Sequence, residues 1–180
     1  MACTNDSQEE LLQAILEQDT ANFDRLQQII QTIQASGAVG GDFGYFYNLA
    51  VSDTVAIGDP FPFDTDGPFT AGFLHTASAT PATSAPITVV NAGTYAIEFT
   101  ATVAEARQIA LYVNGAVDLS TIYGQATGTA VTTGFAILTL AAGSILTLRN
   151  HLSAAALTLV TPSGGTEANT TNSLMIRRLA

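Results

Sequence analysis

"NAGTYAIEFTATV", residues 91–103, opens on a turn of Asn91, Ala92 and Gly93 and then alternates. Tyr95, Ile97, Phe99, Ala101 and Val103 fall on one side, with Thr94, Ala96, Glu98, Thr100 and Thr102 on the other. A period of two is the pattern of a strand with one face buried and one wet. Shorter runs of the same kind are expected at 45–51, 69–76, 87–90, 108–113, 117–123, 130–138, 145–150, 157–161 and 173–179. Turn residues separate them: Asp59-Pro60, Asp66-Gly67-Pro68, Asn114-Gly115, Ala142-Gly143 and Ser163-Gly164-Gly165. Asn114-Gly115, set between "IALYV" and "AVDLS", is the strongest hairpin signal in the chain. About ten short strands at this spacing predict an all-β sandwich or jelly roll.

Composition narrows the function. The 180 residues are 47% hydrophobic but only 11% charged, against about 25% charged in an ordinary soluble domain. A surface poor in charge is expected to be covered by a partner, most simply by copies of itself. The net charge is −10, there is no lysine, and the five basic residues are Arg25, Arg107, Arg149, Arg177 and Arg178. That leaves no basic footprint for nucleic acid and no lysine for a P-loop or a Schiff base. The single cysteine, Cys3, has no internal partner for a disulfide. No apolar run is long enough for a membrane span. The polar, acidic start "MACTNDSQEE" is unlike a secretory signal, which predicts a cytosolic protein or one exposed by another route.

The N-terminal region reads differently. Ser7 and Glu10 have capping-box spacing, and Ser36-Gly37 supplies a helix stop. Between them Leu16, Phe23 and Ile30 fall on one seam position, and Leu12, Asp19, Leu26 and Ile33 on the other. Steps of four and three keep such a seam facing a partner helix, although about three heptads make a marginal coil by themselves. Leu11, Ile15 and Ile29 widen the seam, and Asp19 interrupts it. One reading is a self-associating helix; the other is an amphipathic helix lying on its own domain. The expected organisation is a helical connector over 1–36, a glycine-rich linker over 37–44 and a β head over 45–180.

Within the head, "GTYAIEFTATV", "IALYVNG" and the closing strand "SLMIRRLA" resemble the tumour-necrosis-factor-like jelly roll shared by complement globular heads. The closer resemblance is to the C-terminal domain of the collagen-like exosporium glycoproteins of Bacillus spores (BclA-like). Its "GxYxI" strand is matched by Gly93, Tyr95 and Ile97, and its "VNG" hairpin by Val113, Asn114 and Gly115. "VAIGDPFPFDTDGPF" is similar to that family's strand running into an Asp-Pro turn. The resemblance implies a homotrimer of jelly rolls. It makes Tyr45, Phe46, Tyr47, Tyr95, Phe99, Leu174 and Ile176 candidates for core or subunit contacts. It also implies a subunit of a thin endospore appendage, made in the mother cell and deposited on the spore surface or exosporium without a signal peptide. Trimers would stack head to tail, with an anchoring or tip protein as further partner. The family's Gly-X-Y stalk is absent before the head, and a short helical segment stands in its place. In such a trimer three copies of Cys3 would gather near the axis, where an intermolecular disulfide competes with a spectator thiol.

Chemistry-bearing residues are sparse. His75 and His151 have no neighbours at metal-ligand spacing, which predicts structural roles and no cofactor. Asp64-x-Asp66-Gly67, with Asp59 nearby, partly imitates the start of a calcium loop but lacks its later ligands, so a turn is the simpler reading. Glu98 and Glu105 are the carboxylates on offer to a carbohydrate-active jelly roll, without a tryptophan platform. The expectation is a non-enzymatic, self-assembling fibre subunit, with a trimeric adhesin or receptor-binding head as the alternative.

Overall fold

The computed structural model describes residues 5–35, 41–49, 54–78 and 80–180. The chain divides into two compact units, Met1–Gly40 and Gly41–Ala180.

The first unit is one helix, α1 (Asn5–Ala35), about 46 Å long at 1.5 Å per residue. Ser7 lies inside it, so the capping-box reading placed the start too late. Asn5 and Asp6 are themselves helix-starting residue types, and several such signals share this stretch. Two threonines turn their hydroxyls back onto the helix, Thr20 to the Leu16 carbonyl and Thr32 to that of Gln28, both at 2.8 Å. No helix among the described residues is long and apolar enough to cross a membrane.

The second unit is built from strands β1 (Phe43–Asn48), β2 (Thr54–Val55), β3 (Thr65–Phe69), β4 (Phe73–Leu74), β5 (Ile87–Val89), β6 (Gly93–Thr102) and β7 (Arg107–Val113). These are followed by β8 (Ala116–Val117), β9 (Tyr123–Gln125), β10 (Val131–Leu140), β11 (Ile145–Asn150), β12 (Leu157–Thr158) and β13 (Asn172–Arg178). A single-turn helix, α2 (Pro81–Ser84), precedes β5. One sheet runs β10-β6-β13-β1-β3; the other runs β4-β5-β11-β7-β8, with β9 also on β7, and β12 pairs with β2. All strand pairs among the described residues are antiparallel.

The residues read as the inner side of β6 do line the interior: Tyr95, Ile97, Phe99 and Ala101 are buried against Ile109, Leu111, Leu146 and Leu148 of the facing sheet. Phe46, Phe61, Phe63 and Phe73 add four aromatic rings to the same core. Aromatic rings need room, and Gly134 supplies it: a Cβ there would lie 2.2 Å from the Phe99 ring. The Asn114-Gly115 turn forms as expected, with both residues at positive φ (52° and 82°) and Val113 paired to Ala116.

Three expectations change. Residues 117–123 are not one strand, because Asp118 caps a 3-10 turn at Leu119–Thr121 by accepting from the Ser120 amide. The run at 69–76 is the end of β3 and the whole of β4, which belong to different sheets. Asp66-Gly67-Pro68 is not a turn but part of β3, at the edge of its sheet. Pro68 is tolerated there because an edge strand needs no second ladder, and a Cβ on Gly67 would lie 2.7 Å from the Tyr45 ring.

Candidate functional site

The outer face of the five-stranded sheet is the surface that needs explaining. Register fixes its rows. Phe135 lies opposite Glu98, Glu98 opposite Met175, and Met175 opposite Tyr45. Along the next row run Ile137, Ala96, Arg177 and Phe43. Beyond the Glu98 row on the other side run Thr133, Thr100, Ser173, Tyr47 and Thr65. Outward positions of an antiparallel sheet are ordinarily polar. Here Phe135 is 70% exposed, Ile137 66% and Val131 58%, with Met175 and Phe43 exposed beside them. Tyr45 and Tyr47 stack at 5.2 Å on the same face. The Tyr123 hydroxyl donates to the Phe135 carbonyl at 2.9 Å, pinning the backbone from which that ring projects. Thr100 and Ser173 share a hydrogen bond of 2.8 Å between the two central strands.

A second apolar surface lies on α1. Leu12, Leu16, Phe23, Leu26 and Ile30 of the expected seam, with Leu11, Ile15 and Ile29 beside it, are all between 42% and 63% exposed. Isolated helices of this kind draw most of their stability from a partner for that stripe. The side chain of Ile33 and the whole of Cys3 lie outside the described residues.

The residues singled out in the head therefore fall on two opposite faces. Tyr95, Phe99, Leu174 and Ile176, with Phe46, are interior. Tyr45 and Tyr47 are half-buried and face outward. The Tyr95 hydroxyl donates to the Asn91 carbonyl. Burial raises its pKa above the ordinary value; Arg178 works against that rise and Asp42 with it.

The titratable groups are occupied with structure. His75 Nδ1 sits 2.5 Å from Asp66 Oδ1, and its Nε2 2.7 Å from the Ser84 carbonyl. One ring nitrogen meets the Asp66 carboxylate and the other the Ser84 carbonyl, which holds the ring in place. The imidazole is buried against Phe46 at 4.7 Å and clips the β3 edge of one sheet to α2, ahead of β5 in the other. Asp64 accepts from the Leu49 amide and the Thr65 hydroxyl. Among the described residues no three His, Cys, Asp or Glu side chains are grouped to hold a metal ion. Glu105 accepts from the Thr158 amide and hydroxyl at 2.7 and 2.9 Å, while Glu98 stands on the outer face. His151 Nδ1 is 2.8 Å from the Tyr112 hydroxyl, and the Arg149 guanidinium lies 4.9 Å above the Tyr112 ring.

Two structural groups left no trace in sequence spacing. The His75–Asp66 pair joins residues nine apart but is made by the closure of the sandwich. Arg107 is buried and donates to Thr132 Oγ1 at 2.7 Å and to the carbonyls of Val103, Glu105, Thr127 and Ala130. Burial lowers its pKa from the ordinary value, with the Glu105 carboxylate opposing. A charge inside a ring of carbonyls shapes the segment between β9 and β10, and only the folded chain reveals it.

No protein-family model matches the sequence, and no curated protein sequence matches it. Solved structures do resemble it. The globular domain of zebrafish complement 1qA protein is similar with a TM-score of 0.53 at 12% identity, over 77% of this chain and 98% of that one. Eiger TNF from S. frugiperda is similar with a TM-score of 0.52 at 16% identity, over 78% of this chain and 94% of that one. At such identities the likeness speaks for architecture: the head has the jelly-roll fold of tumour necrosis factor and the complement globular heads.

Proposed function

We propose that this chain is a structural, self-assembling homotrimer, a subunit of a fibre on the bacterial endospore surface. The observation that carries the self-assembly is the outer face of the five-stranded sheet, where Phe135, Ile137, Val131 and Met175 stand exposed on a folded domain. Contiguous exposed apolar side chains mark interaction sites. A closed ring of three copies meeting through such faces satisfies all copies equally. The stripe on α1 supplies a second sticky surface, and a repeating subunit needs two. Stacking of one trimer on the next through the N-terminal segment then builds the fibre, with an anchoring or tip protein at its ends. Assignment to the spore surface, with synthesis in the mother cell, rests on the resemblance to exosporium glycoproteins.

A non-enzymatic role fits the carboxylates a glycosidase would need, since Glu105 is held by Thr158 and Glu98 lies among apolar residues. The alternative is a trimeric adhesin or receptor-binding head at a fibre tip. It is favoured by the polar cluster of Arg149, Tyr112 and His151 on the other sheet.

Light scattering on the eluting full-length chain, followed by negative-stain microscopy, tests the reading. Trimers that grow into filaments, and that remain discrete trimers when residues 1–36 are deleted, support it. Discrete trimers of the intact chain support the tip protein. A monomer at every concentration removes both.

A further inference from the structure

Glu98, a carboxylate on the outer face, does not suit an apolar interface. It lies between Phe135 on β10 and Met175 on β13, at the middle of the most exposed apolar row. Among the described residues it makes no ion pair; the single such pair is His75–Asp66. Enclosing a lone carboxylate between two protein surfaces is strongly unfavourable unless a cation with matching hydrogen bonds meets it.

The head has few cations to offer. It contains no lysine and only four arginines. Arg107 is spent inside its ring of carbonyls. Arg149 belongs to the other sheet, where it covers Tyr112 and bonds the Gly58 carbonyl. Arg178 donates to the Ala92 carbonyl at the end of the sheet. Arg177 alone stands exposed on the same face as Glu98, one row along and one strand over. Its row neighbours are Ala96, a small side chain, and Phe43, and the arginine itself stands exposed.

We propose that Glu98 of one copy pairs with Arg177 of the next copy, three times around the ring. This rests on the homotrimer reading above. A threefold ring uses a heterologous contact, in which each subunit presents one patch forward and another backward. Each junction then receives one carboxylate and one guanidinium, so no like charges meet and none is left over. A guanidinium also matches a carboxylate in a planar, two-bond fork, which fixes the rotational setting of neighbours that apolar side chains alone would leave loose.

Charge reversal tests this in the full-length chain. Glu98→Arg and Arg177→Glu each weaken association about thirtyfold or more, read as a fall in molar mass by sedimentation. The double variant Glu98→Arg/Arg177→Glu regains the trimer. Mixing the two single variants also regains association beyond either alone, because the mixture contains correctly matched junctions; a pair closed within one chain gains nothing from mixing. Far-UV circular dichroism confirms that each variant remains folded. If the unsubstituted chain is trimeric and the single reversals leave it so, the pairing is overturned while the trimer stands. A double variant that stays dissociated likewise overturns the pairing. An unsubstituted chain that never associates overturns the trimer itself.

Discussion

On the inner face of the five-stranded sheet, Tyr95, Ile97, Phe99, Leu174 and Ile176 are sealed between two sheets. One residue along the same strands, Ala96, Glu98, Met175 and Arg177 look outward, with Phe135 and Ile137 on the neighbouring β10. The inner face is apolar over most of its length, which is what packing demands, with Thr132, Asn172 and Asn48 buried in the row of Ala101. The outer face is mixed, with exposed aromatics around an unpaired carboxylate and an arginine one row away. Burial alone explains the first. The second is the face on which the proposed association would act, and on that reading the two faces divide folding from association.

Substitutions can break that division or sharpen it. Phe99→Ala removes a fully buried ring and is expected to cost about 3 to 5 kcal/mol of folding stability in chemical denaturation. A loss below about 1 kcal/mol would mean that the inner face is not the foundation described. His75→Leu leaves Asp66 and the Ser84 carbonyl without their partner, for an expected loss of about 2 to 3 kcal/mol by the same measurement. Unchanged stability would remove the clip between the sheets. Phe135→Ser should reverse the pattern. Folding stability stays within about 0.5 kcal/mol, while association weakens by about 2 kcal/mol, read as dissociation at higher protein concentration. A variant that unfolds but still associates would erase the distinction between the faces. Smallest of all, Gly115→Ala puts a side chain at φ 82° and is expected to cost about 1 kcal/mol in thermal unfolding. Because the hairpin tip belongs to neither face, its oligomer should be unaffected.

Legibility followed locality. β6 and the Asn114-Gly115 hairpin were readable because ten residues of alternation and a two-residue turn carry their own signal. Strand β2 is two residues long, too short for any period to register, and the run expected at 157–161 forms a strand only over the two residues of β12. Asp66-Gly67-Pro68 reads as a turn by composition, yet pairing with β1 overrides that preference. The alternation also shows which residues share a face but not which face a partner covers. Tyr45 and Tyr95 look alike in the sequence, and only pairing across the sheet turns one outward and the other in. For Glu98 the polar position in an alternating strand looked ordinary until Phe135 and Met175 appeared on either side.

The edge strand β3 has a bearing on how such a molecule stays out of trouble. Its register with β1 slips between Gly44 and Phe46, and it carries Pro68, which has no amide hydrogen to donate. A foreign strand arriving there finds a broken ladder, so β-sheet extension into amyloid-like stacks is blocked on that side. A head that exposes Phe135, Ile137 and Val131 to water gains from that protection on its β3 side. The opposite edge strand, β10, runs ten residues in unbroken register with β6 and has no second partner strand among the described residues, so the sheet is guarded on one side only.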